Sequence, residues 1–233
     1  MTNRSNTKEI IAKAFRKAVA EDSSSKISVQ AISEQSGISR KTFYYHFFDR
    51  LELIQWIFRS ELGELLINQC AAEDLIYLQL GTRINFPEIP YFARTPIGIR
   101  SLDGSEFFRI LGGYLQENRS FYRQIITSNM FSGLLRYILK LYQQAFINDI
   151  RFVLGGRSLP QETISQLAMY FSNTALFNYF ESLMFSSRDL TQLLPEEFAN
   201  INHELLAETI DGYFSQNKNK YSFFSFNTRA TST

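Results

Sequence analysis

Residues 28–50 read SVQAISEQSGISRKTFYYHFFDR, and their reading decides the fold. Ser28 is an N-cap residue type, whose hydroxyl accepts from backbone N–H groups in the first helical turn. It opens a short helix, Val29 to Gln35, with Val29, Ala31 and Ile32 turned inward. Gly37 stands where a helix end needs a positive φ, which glycine adopts at little cost. Ser39 caps a second short helix with Phe43 and Phe47 inward and Arg40, Lys41, Tyr44 and Tyr45 outward. Two short helices joined by a glycine turn form the helix-turn-helix layout, whose second helix enters the DNA major groove. Arg40 or Lys41, near the start of that helix, then reaches guanine edges. Thr42, Tyr44, His46 and Arg50 carry donors suited to phosphate oxygens. Ser28 and Gln30 face the DNA from the supporting helix, and Ser39 and Tyr45 complete the candidate set.

Working outward, the 3.6-residue apolar period recurs along most of the chain. Thr7 caps a helix carrying Ile10, Ile11, Ala14, Phe15 and Ala18, which ends near Asp22 before a Ser23–Ser25 break. Asp49 and Glu52 match a capping box that starts a long helix through Leu53, Trp56, Ile57, Leu62 and Leu66. Trp56 is expected to pack the head against the body. Residues 71–102 hold Pro87, Pro90, Pro96, Gly81 and Gly98, which predicts a long connection with a short extended piece at 97–100. Asp103 and Glu106 repeat the capping-box pattern, and helices are predicted over 104–117, 119–128, 130–154 and 158–186. Ser158, Pro160 and Gln161 fit the start of the last of these, and Pro195 opens a final helix to about Ser215. With no period-2 run, the predicted class is all-α: a three-helix head and a larger helical body. The expected boundaries are 1–48 for the head, 49–217 for the body and 218–233 for a tail that is apolar at Phe223, Phe224 and Phe226.

The 233 residues are 45% hydrophobic and 20% charged, enough to bury a core and incompatible with a disordered chain. The net charge is only +1, but residues 1–60 carry +4 and the rest −3, a basic head on an acidic body. One cysteine, Cys70, excludes a disulfide framework and a multi-thiolate zinc site; it is expected to be a small buried apolar residue. With only His46 and His203, a histidine metal centre is not expected, and His203 is assigned to the surface or an interface. Neither an apolar leader nor a long apolar run occurs, so a soluble, cytoplasmic protein without membrane contact is expected. No nucleophile elbow, phosphate-cradling glycine loop or metal-ligand cluster is found, so neither an enzyme nor a cofactor is expected.

From Thr7 to about Leu66 the chain resembles the TetR family of bacterial one-component transcription regulators. The resemblance is carried by the Gly37-Ile38-Ser39 turn, the Thr42-Phe43-Tyr44-Tyr45-His46-Phe47 core and the helix start at Asp49. Tyr44 and His46 match the family's phosphate-contacting tyrosine and histidine, and Arg50 stands where the family usually has lysine. Residues 106–126, with Asn118, Phe121 and Tyr122, resemble a Firmicutes-type subgroup that includes dihydroxyacetone-kinase regulators. The resemblance implies a homodimeric repressor that binds a palindromic double-stranded DNA operator. Its body would bind an effector, a small molecule or a protein, that tilts helix 49–70 and changes the spacing of the two heads.

The body's aromatic and polar residues give two further sets. Arg109, Tyr114, Phe121, Tyr122, Arg136, Tyr170, Asn173 and Phe177 are candidates for an effector pocket. Leu167, Phe171, Ala175, Leu183, Leu205, Ile210 and Phe214 are candidates for a dimer face built from the last two helices as a four-helix bundle. The rival reading is a helical interaction protein that acts through a partner subunit and binds DNA weakly or not at all.

Overall fold

The structure, a computed structural model, describes residues 3–21, 27–79, 86–126, 131–193 and 196–217. The fold is all-α. The head holds α1 (Asn3–Glu21), α2 (Val29–Ser36) and α3 (Arg40–His46), and α4 (Arg50–Gln69) joins it to the body. The body holds α5 (Ser105–Glu117), α6 (Arg119–Ile126), α7 (Phe131–Leu154), α8 (Gln161–Phe185) and α9 (Glu196–Asn217). α1 begins ahead of the expected Thr7 cap. The Ser23–Ser25 break, Pro195 and the tail after Asn217 lie outside the described residues.

Between α4 and α5 the structure differs from a plain connection. Two antiparallel pairs form there: β1 (Leu75–Ile76) with β2 (Phe92–Ala93), and β3 (Thr95–Pro96) with β4 (Leu102–Asp103). Each strand has two residues, too few to leave an alternating pattern in the sequence. The piece at 97–100 is the loop of the second pair, closed by Ile97 N donating to Ser101 O at 3.0 Å. Arg100 turns back from that loop, donates to Val153 O at 2.6 Å and pairs with Asp211 of α9.

The helix starts show which caps form. Asp49 Oδ1 accepts from Glu52 N at 2.8 Å, and the Glu52 carboxylate accepts from Phe48 N. The Asp103–Glu106 box does not form. Gly104 is the cap residue of α5, Asp103 accepts from Ser105 N at 2.7 Å, and Glu106 is drawn instead to Arg109. That guanidinium holds the Glu106 carboxyl below the ordinary carboxylate value. α8 starts at Pro160 without a side-chain cap.

One hydrophobic core runs through head and body. Phe15, Phe43 and Phe47 in the head are continuous with Phe58 of α4 and with Phe107, Tyr142 and Phe146 in the body. Trp56 is buried against Phe47, with ring centroids 5.8 Å apart. Asp149 of α7 is fully buried and is met by Arg94 and by His203 Nε2 at 3.0 Å. A buried carboxylate is tolerated only with such partners. His203 is therefore an interior residue, stacked on Phe146, and the surface assignment is corrected. Cys70 is half-exposed at the end of α4 rather than buried. Partial burial, and then the Glu106 and Asp74 carboxylates, raise its thiol above the ordinary value.

Burial also holds the phenols of Tyr91, Tyr114, Tyr122, Tyr142 and Tyr179 above the ordinary value of 10. The unfolded chain releases these protons near pH 10 and the folded chain only at higher pH, so folding stability is intact below pH 10. Above about pH 10 it falls. Urea midpoints measured from pH 8 to 11 are expected to stay level to about pH 10 and then drop steeply.

Candidate nucleic-acid interface

The head presents α3 by a chain of local bonds. Ser28 Oγ accepts from Ala31 N at 3.1 Å and starts α2. Gly37 ends it at φ 70°, and Ile38 N turns back to Ser33 O at 3.2 Å. A Cβ at Gly37 would meet open space, so backbone conformation rather than crowding calls for glycine there. Ser39 Oγ accepts from Thr42 N at 3.1 Å and lies 2.8 Å from Thr42 Oγ1, which starts α3. Phe43 and Phe47 are buried on one side of α3, their ring centroids 5.9 Å apart.

The opposite side is bare. Arg40, Lys41, Tyr44 and Tyr45 are exposed, the two tyrosines by 51% and 64%. Tyr44 is set edge-on against Phe43 and Tyr45 against His46, so both exposed phenol rings are held by a ring contact. Ser28, Gln30 and Ser39 are exposed, and Thr42 and His46 are half-exposed. Several of these already have local duties: Ser28 and Ser39 as caps, Thr42 on Ser39, and Gln30 on Glu34 at 3.0 Å.

Arg50 departs from the expected set. Its guanidinium is half-buried and donates to Ile27 O, where the chain enters α2. Its position makes it a brace between the start of α4 and the start of α2. Sequence reasoning identified the cation but had no signal for the carbonyl 23 residues away.

The expected pocket residues do not converge. Tyr114, Phe121 and Tyr122 lie together, but in the seam between head and body. Tyr114 Oη bonds Glu61 Oε2 at 2.9 Å and the Tyr122 hydroxyl, Glu61 pairs with Arg16 of α1, and the Arg16 guanidinium sits 4.2 Å from the Phe121 ring centroid. Arg109 is exposed and binds Glu106 and Gln69. Arg136 is exposed, and Tyr170, Asn173 and Phe177 are exposed on the outer side of α8. A cleft of about 970 Å³ opens at the junction of head and body, lined by Lys13, Arg16, His46, Trp56, Glu64 and Ile89 among others.

The dimer set is corrected as well. Phe171, Ala175, Leu183 and Ile210 are buried inside their own chain, Leu167 and Phe214 are half-buried, and Leu205 is exposed. α8 carries large apolar residues on every side, so its periodicity does not say which side faces the core. The side facing outward carries Met169, Tyr170, Phe177 and Phe185, exposed by 51–78%.

Among the described residues no group of three or more His, Cys, Asp or Glu could hold a metal ion, and no helix is long and apolar enough to cross a membrane.

No family model matches the chain. The head's geometry is that of a helix-turn-helix, and the chain is similar to a protein described as HTH-type. It is 40% identical over 60 residues to the HTH-type dhaKLM operon transcriptional activator DhaS of Lactococcus lactis subsp. lactis (strain IL1403). Those residues are 26% of this chain, and the match spans about a third of that relative's length (32%). A solved structure titled dihydroxyacetone kinase operon activator DhaS aligns over 88% of this chain and 96% of its own, with 21% identity and a TM-score of 0.48.

Arg50→Ala is expected to lower the stability of the head by about 1.5–3 kcal/mol, the contribution of a hydrogen bond from a charged donor. Lys41→Ala, with no such bond to lose, is expected to leave stability within about 0.5 kcal/mol. Urea titrations of the two variants make the comparison.

Proposed function

We propose that the protein is a DNA-binding transcription regulator that reads its site with α3. The observation that carries this reading is the bare outer side of that helix: Arg40, Lys41, Tyr44 and Tyr45 project away from a buried aromatic underside. A basic, tyrosine-bearing helix at the end of a helix-turn-helix suits the major groove, cations to base edges and phosphates, hydroxyls to phosphates. The relative's description as an HTH-type transcriptional activator supports the same class. Nothing supports the expectation of repression over activation, and a reporter fused to the adjacent promoter gives the direction.

A single helix-turn-helix module buries too little surface for selective binding, so the reading includes a homodimer on a palindromic site. We place its interface on the outer side of α8, where Met169, Tyr170, Phe177 and Phe185 form an apolar strip with no counterpart in the chain's own core. On α8 this replaces the buried Phe171, Ala175 and Leu183 with residues from the opposite, exposed side of the same helix.

The reading is tested by electrophoretic shift on the DNA upstream of the protein's own gene. Arg40→Ala and Lys41→Ala are each expected to weaken binding. Removing a cation that neutralises one phosphate lowers the log–log salt slope by about 1. Unchanged affinity in both variants would refute the role of α3. Phe177→Glu is expected to shift the sedimenting species from dimer to monomer and to abolish the shifted band at the same protein concentration.

A further inference from the structure

Residues 86–93, Phe-Pro-Glu-Ile-Pro-Tyr-Phe-Ala, touch both parts of the molecule. At one end, the Phe86 ring lies 5.6 Å from Lys8 Nζ of α1, an ammonium that also sits 5.8 Å from Phe47 and 5.7 Å from Trp56. Cation–ring contacts of this kind hold a lysine without a carboxylate. At the other end, Phe92 is fully buried in the body, 4.5 Å from Phe107 and 6.3–6.4 Å from Tyr142 and Phe146 between ring centroids.

Between these ends the segment is fastened across α4. Arg59, 1% exposed, donates to Phe86 O at 3.0 Å, to Ile89 O and to Tyr137 Oη at 3.1 Å. Gly63, one turn further on, leaves the room that Ile89 fills. A methyl group there would run into Ile89 Cγ2 and come within 3.1 Å of Pro90 O. Phe86 is held at φ 67°, and it is the one non-glycine residue with a positive φ among the described residues. A bulky side chain keeps that conformation only where its surroundings impose it.

We propose that residues 86–93 form a strap that sets the angle of the DNA-reading head on the body. Phe86 bears on Lys8 of α1 and Phe92 on the body interior, and Arg59 and Gly63 hold the strap against α4 between them, so lifting the strap loosens the seating of α1. The link to DNA affinity rests on the function proposed above; the mechanical link does not.

The test uses the full chain and its single tryptophan, Trp56, as the reporter in the Lys8 nest. Gly63→Ala is expected to lift the strap, move Trp56 emission to longer wavelength and speed amide exchange in α1 and α3 by about tenfold. Adding Ile89→Ala removes the obstruction and is expected to bring both signals back to within about twofold of the parent. Phe86→Gly, which introduces no bulk, is expected to loosen α1 in the same way. Unchanged exchange in α1 for Phe86→Gly, or no recovery in the double variant, overturns the strap. Binding to the upstream DNA is expected to weaken about tenfold in Gly63→Ala and to recover with the exchange signal. If the parent protein does not shift that DNA while head exchange still follows the strap variants, the strap stands and the DNA reading falls.

Discussion

Everything in this fold hangs on α4 serving as a wall for two neighbours at once. Leu53, Ile54, Ile57, Phe58, Leu62 and Leu66 are all essentially inaccessible, and Trp56, Arg59 and Gly63 are buried as well. A helix with solvent on one side keeps an apolar stripe. α4 has none, because α1 and the Phe43–Phe47 edge of the head cover one side while α5 and α7 cover another. The seam beside it is fixed by polar as well as apolar contacts. Arg16, Glu61, Tyr114 and Tyr122 form one bonded series from α1 through α4 to α5 and α6, and Phe15 meets Phe121 edge-on at 6.0 Å.

Such a wall constrains where charge can go. Arg59 would be an expensive cation to bury were its two terminal nitrogens not turned to backbone carbonyls and a phenol. Asp149 solves the opposite problem with Arg94 and His203. In each case a residue from the 86–94 segment supplies a partner, so this loop acts as the solvent of the body's charged interior. That gives it a reason to be long and proline-bearing: Pro87 and Pro90 lower the entropy lost when the chain is held extended across a helix.

Helix positions and the exposed side of α3 were legible in the sequence because both depend on local rules. Ser28, Gly37 and Ser39 act within three or four residues of themselves, and Phe43 and Phe47 fall one helical turn apart. What escaped the sequence depends on distant partners. The bond of Arg50 to Ile27, the burial of His203 by Asp149 and the two-residue strands leave no periodic trace. α8 shows a further limit: Tyr170 and Phe171 are adjacent, equally apolar, and lie on opposite sides of the core boundary. Only the packing of α7 and α9 against α8 decides between them.

The short helices of the head carry a last implication. α2 has 8 residues and α3 has 7, below the length at which a helix persists alone in water. Their apolar undersides close against α1 and α4. Evolution can alter the outward side chains of α3 one at a time without disturbing this packing. It cannot exchange this head as a cassette cut at residue 48, because the severed piece would leave behind the Trp56 face on which Phe47 rests. Recombination that respects the core must carry α4 along, and with it one wall of the recipient's body.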